Sequence, residues 1–167
     1  MPEEYILEKW VWTEEDFERM GWHDCHIHAV AFSPEEYKLL IDIDYIFKWA
    51  LPKFGQVIFK PEQSHFGFWV APATLVFENI YEVEADIFSY SGGLEIDRIK
   101  REEAKSPRNA EYIQHDTEWL WTVECQEGDI RLRSAGYKQH VRVAPRLIRQ
   151  QKIALSDRGG YSFAEER

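Results

Sequence analysis

The chain has 167 residues, 44% of them apolar and 15% aromatic, with 30 Asp and Glu against 20 Lys and Arg for a net charge of −10. That length and apolar content suit one folded domain and exclude a disordered chain. The negative balance argues against general binding of nucleic acid or anionic membrane.

The first residues, Met1-Pro2-Glu3-Glu4, lack the basic start of a secretory signal, and no window approaches the roughly 18 apolar residues of a membrane helix. A cytoplasmic protein is therefore expected, with Cys25 and Cys125 as reduced thiols. Thr13 reads as a helix N-cap followed by Glu14, Glu15 and Asp16, with Gly21 as the stop, so a short N-terminal helix is expected. From Trp22 the apolar period changes to two, and 22–32 reads as a strand. Ser33-Pro34-Glu35-Glu36 is a turn into a second strand over 37–45. Leu39, Ile41 and Ile43 lie on one face of it, with Asp42 and Asp44 on the other. Residues 46–65 are irregular, with Pro52, Gly55 and Pro61. Strands follow at 66–71, closed by Pro72, and at 74–80, with 82–88 extending the latter or forming the next. Leu94, Ile96 and Ile99 begin another strand, and the charged stretch 100–109 reads as a loop. Residues 119–125 alternate well, Glu127-Gly128-Asp129 turns, 130–134 returns, and 137–143 is the last strand. The polar residues 156–167 read as a loose tail.

The sum is a single, mainly β domain. Its expected form is an antiparallel sandwich or strongly curved sheet of about eight strands, with a short N-terminal helix. No P-loop, C-x-x-C, G-x-S-x-G or H-E-x-x-H motif is present. Charge is divided along the chain: residues 1–97 carry 19 acids and 6 bases (−13), residues 98–167 carry 11 acids and 14 bases (+3). Either the two kinds neutralise each other across neighbouring strands, or one face stays acidic and steers a basic partner.

The densest chemistry is Trp22-His23-Asp24-Cys25-His26-Ile27-His28. On a strand, Asp24, His26 and His28 share one face, and the neighbouring strand adds Asp42 and Asp44. These five residues are the candidate binding site. An H-x-H pair with a carboxylate suits a divalent metal, so Asp24, His26 and His28 are candidate ligands, with His65, His115 and His140 as distant additions. The competing reading is structural: imidazoles bonded to turns and to neighbouring carboxylates. No cofactor is required on that reading. Cys25, alternating with Ile27, reads as a small buried hydrophobe, and Trp119 and Trp121 as core rather than as a stacking platform.

The run 22–29, the strand Leu40-Ile41-Asp42-Ile43-Asp44-Tyr45 and the segment 68–79 resemble a group of small bacterial proteins, and the W-H-D opening followed by an apolar-Asp strand is similar to certain immunity proteins of bacterial toxin systems. The resemblance implies neutralisation of a toxin by surface contact and carries over no catalytic residue. Three functions stay open: a non-enzymatic domain that binds a protein partner, a metal-binding protein or metal-dependent enzyme built on residues 23–28, and a small-molecule binder with an aromatic pocket.

Overall fold

The computed structural model describes residues 4–50 and 67–166. Among them are ten strands: β1 (Val11–Thr13), β2 (His26–Ser33), β3 (Lys38–Ala50), β4 (Gly67–Glu78), β5 (Tyr81–Ile87), β6 (Ile96–Lys105), β7 (Glu118–Cys125), β8 (Gly128–Ser134), β9 (Gly136–Val141) and β10 (Arg146–Ile148). All pair antiparallel. They form two sheets: a larger one in the order β1-β9-β4-β3-β2 with β10 also on β4, and a smaller one in the order β5-β8-β7-β6.

The apolar faces of both sheets meet in one core. Leu39, Ile41 and Ile43 of β3, Leu75 and Phe77 of β4, Trp121 and Val123 of β7 and Leu132 of β8 belong to it. The Trp121 ring stacks on Tyr137 of β9 at 5.3 Å and meets Phe77 at 5.2 Å, so the sheets are joined through aromatic rings. Trp119 packs at the margin of this core, as its alternation with Trp121 implies. Cys25 and Cys125 are buried free thiols within it.

Several expected elements differ in detail. The N-terminal helix is a single 3₁₀ turn, Glu14–Arg19. The Asp16 carboxylate accepts the Thr13 N–H in a capping box that starts the turn, and the extended backbone of Met20 (φ −96°, ψ 153°) ends it before an α-helical ladder of useful length forms. The strand read from Trp22 begins at His26, because Asp24 takes a left-handed φ of 67° that breaks the extended run.

β4 runs straight through Pro72 instead of stopping there. The Pro72 carbonyl accepts the Arg142 N–H, so the amide that proline lacks faces the gap between β9 and β10. No ladder bond is missed at that point. The charged stretch 100–109 continues β6 as far as Lys105. Its charges are accommodated sideways: Lys100 pairs with Glu124 of β7 at 3.0 Å, and the Arg101 guanidinium lies over the rings of Phe17 and Trp119. β1 and β10, three residues each, are too short to show a period.

The other face of the larger sheet is covered as well. Residues 150–166, which form no regular strand, lie across β3 and β4. Thr74 donates to the Ala164 carbonyl at 2.7 Å, Lys38 pairs with Glu165 at 3.1 Å, and Ile153 is buried in the core. Burial on both sides explains the unbroken buried runs of β3 and β4. Within the stretch 156–167, expected as a loose tail, Arg158, Ala164 and Glu165 contact polar groups on the sheet beneath. The irregular stretch expected at 46–65 is strand up to Ala50, and its remainder lies outside the described residues.

Candidate functional site

The five residues singled out by the sequence fall into two environments. Asp42 and Asp44 project from β3 on the face away from the core, as their alternation requires, but neither touches solvent. Arg158 lies between them, also without exposure. Its Nη1 and Nη2 each donate to Asp42 at 2.7 Å, and its Nε donates to Asp44 at 3.1 Å. Arg142 Nη2 gives Asp42 a further bond of 2.7 Å, while its Nη1 bonds the Thr74 hydroxyl at 2.8 Å. Two backbone amides complete the set: Ser162 N–H on Asp42 at 3.0 Å and Ile153 N–H on Asp44 at 2.7 Å. His28 Nε2 lies 2.7 Å from Asp44 Oδ2.

Two carboxylates thus face two guanidiniums, with nearly every acceptor position filled. Such a network costs its desolvation and holds only because it is satisfied throughout. Burial alone raises the Asp42 carboxyl; the bonds from Arg158, Arg142 and Ser162 outweigh it and hold the group below its ordinary value. Burial likewise depresses Arg158, and the two aspartates reverse it. The two arginines lie 100 to 116 positions beyond the aspartates they bind, and each looks like any other surface base in the sequence.

Asp24 and His26 face a different space. Together with the loop 88–95, the β7–β8 turn and the segment 149–152 they line an open cleft of about 970 Å³. The Asp24 carboxylate accepts a bond from Gln151 at 2.8 Å and lies 3.1 Å from His23. Two further carboxylates belong to the same wall. Glu127 accepts the Glu95 N–H at 2.7 Å, and Glu95 accepts from Gln126 at 3.0 Å. Burial, then Asp24, then the Glu127 and Asp97 charges raise the Glu95 carboxyl. Among the described residues no Lys or Arg pairs with Asp24, Glu95 or Glu127, and the second Glu127 oxygen is shielded from water without a partner. Arg149 and Lys152 line the same cleft. At the rim, Phe88 is 80% and Tyr90 97% exposed.

His26 is uncharged at neutral pH. Burial lowers it first, and the neighbouring His28 and Lys152 lower it further, to about 4. Its ring meets that of His28 edge to face at 4.7 Å. Thus the two imidazoles do converge, but His28 is committed to Asp44 beneath residues 150–166, while Asp24 turns to the cleft. Among the described residues no group of three or more His, Cys, Asp or Glu side chains is arranged to hold a metal ion. Of the distant candidates, His115 lies 3.4 Å from Glu78, the ring nitrogens of His140 are buried without a hydrogen bond, and His65 is outside the described residues. Burial pushes both Cys25 and Cys125 up to about 12, which fits their reading as core residues rather than thiolates.

Glu95, Glu127, Arg149 and Lys152 carried no signal of their own in the sequence. Phe88 and Tyr90 did carry one: two aromatics beside Ser89, Ser91 and Gly92-Gly93 place large rings in a turn, where a core cannot take them. Among the described residues no helix is long and apolar enough to cross a membrane. Comparison with known protein families, with curated proteins and with solved structures finds no match to this chain.

Proposed function

We propose that this chain is a non-catalytic binding domain that docks a basic protein partner in the cleft around Asp24, Glu95 and Glu127, with immunity-type inhibition of a toxin in the bacterial cytoplasm as its concrete form. One observation carries this reading. The interior carboxylates Asp42 and Asp44 are matched by arginines, whereas the three at the cleft have no cationic partner among the described residues. Unmatched carboxylates beside the exposed rings of Phe88 and Tyr90 form a surface that a Lys- or Arg-bearing segment complements, by charge and by cation–π contact.

The test is to express the product of the neighbouring gene alone and together with this chain. Growth arrest by that product, relieved by this chain and no longer relieved by a Glu95→Lys, Glu127→Lys double variant, supports the proposal. A harmless neighbour, or relief indifferent to the double variant, overturns it. The small-molecule alternative uses the same cleft, lined by Phe68, Phe88 and Tyr90 rather than by tryptophans. A ligand-dependent rise in melting temperature across a panel of metabolites, abolished by Tyr90→Ala, favours that alternative.

A further inference from the structure

The cleft holds charges of both signs that do not meet. Each of its three carboxylates is held by a neutral amide: Asp24 by the Gln151 side chain at 2.8 Å, Glu95 by the Gln126 side chain at 3.0 Å, and Glu127 by the Glu95 backbone N–H at 2.7 Å. An amide donor orients a carboxylate without cancelling its charge. His23, 3.1 Å from Asp24, adds a cation only when its ring is protonated.

Permanent cations line the same space. Arg149 and Lys152 are exposed, and neither forms an ion pair among the described residues. Their segment is tied down. Ile148 pairs with Phe68 of β4, Gln151 bonds Asp24, and the Ile153 N–H bonds Asp44 at 2.7 Å. Burial, then His28, then Lys152 lower the His26 ring, so Lys152 stands near the Cα partner of Glu95 and still bonds no carboxylate. Unlike charges fixed in one cleft, out of bonding reach of each other, form two poles that a ligand with matching poles can join. A purely cationic ligand would satisfy the carboxylates but meet repulsion from Arg149 and Lys152.

We propose that the partner segment entering this cleft carries both signs: a Lys or Arg that meets Asp24, Glu95 and Glu127, and close to it in sequence an Asp or Glu that meets Arg149 and Lys152. This rests on the reading of the cleft as a protein-docking site and narrows it, since a partner that is basic as a whole then docks through a stretch that is not. At about 970 Å³ the cleft is at the upper end of the range for ligand sites, with room for several residues rather than one free amino acid. The exposed rings of Phe88 and Tyr90 offer faces to an apolar side chain of the same segment.

Fluorescence anisotropy of the whole chain with labelled, end-blocked peptides reads the result. Each peptide is built on one Phe, with a Lys and a Glu at several spacings, and is compared with counterparts in which Gln replaces the Glu, the Lys or both. Free phenylalanine, added as competitor, tests the single amino acid. The best Lys/Glu peptide is expected to bind about tenfold more tightly than its Lys/Gln counterpart, because bonds between charged groups are at stake. Arg149→Gln with Lys152→Gln, both at exposed positions, should abolish that difference and leave the Lys/Gln peptide bound. Equal binding of the Lys/Glu and Lys/Gln peptides overturns the inference while leaving a cation-docking cleft. Binding indifferent to the Lys removes the docking reading as well. A preference for Glu that survives the Arg149→Gln, Lys152→Gln double variant, binding of none of the peptides, or phenylalanine competing as well as the best peptide also overturns it.

Discussion

Arg158 is the residue whose environment departs most from its type, a guanidinium without exposure that binds two carboxylates. Replacing it by Met removes the cation but leaves Asp42 and Asp44 buried. A loss of about 3–5 kcal/mol is expected in urea denaturation, as for other broken buried pairs. Adding Asp42→Asn and Asp44→Asn should recover part of that loss, because the uncompensated charges are the main cost. His26 supplies the second prediction. Its folded pKa of about 4 lies below the ordinary 6.5, through burial first and then His28 and Lys152. Between these values the unfolded chain binds the extra proton, so stability falls as pH is lowered through the window from 6.5 to about 4. Melting temperature measured against pH should show that fall, and His26→Gln should flatten it. In the same window the His26 ring proton should not titrate by NMR until near its lower end; Lys152→Ala should move the titration upward. The identity of these residues was legible in the sequence, since the alternation of Leu39 to Tyr45 put Asp42 and Asp44 on one face. What covers that face was not legible, because Arg142 and Arg158 lie about a hundred positions further on and nothing local marks them.

At the scale of elements, the hairpin β2–β3 and the hairpin β7–β8 follow from period-two patterning and turn residues near Gly128 and Ser33. β6 was half legible: Leu94 and Ile96 alternate and Ile99 rejoins the face of Ile96 across a bulge, but the run of charges beyond them hides a strand whose polar side chains pair across to Glu124 or lie on aromatic rings. Pro72 misleads in the same way, since a ladder position with no donor to satisfy exists only once β9 and β10 leave their gap. The segment 150–166 carries no period at all, and its position is set by the polar groups it meets. It nevertheless acts as a layer. A chain truncated after residue 149 bares Thr74, Val76, Leu40 and both aspartates, all buried in the whole chain. Hydrogen exchange is expected to show lost protection in β3 and β4 while β7 and β8 keep theirs. Equal loss in both sheets would mean that the segment does not act as a cover for one of them.

For the whole molecule, the division of charge into −13 and +3 resolves in part into pairing between the halves. Asp42 and Asp44 take Arg142 and Arg158, Glu78 takes Lys138 at 3.2 Å, and Glu84 stands opposite Arg131. Buried pairs are little screened by salt, whereas the half-buried carboxylates at the cleft act on an approaching partner through solvent, where charges are screened within a Debye length of about 8 Å at physiological ionic strength. Molar salt should therefore leave the melting temperature nearly unchanged while slowing association with a basic partner several-fold, read by stopped flow. A parallel fall in both would place the important charges at the surface. The bond between Arg158 and Asp42 spans 116 positions, and that separation has a consequence for biosynthesis. While the ribosome is still making the second half, β3 carries two carboxylates in the middle of an apolar strand and has no cation to bury them with. Those charges keep the unfinished sheet hydrated and discourage it from pairing with other nascent chains. The residues that lock the finished sheet thus guard the incomplete one, and ribosome-bound chains should gain protease resistance in β3 only after residue 158 has left the exit tunnel.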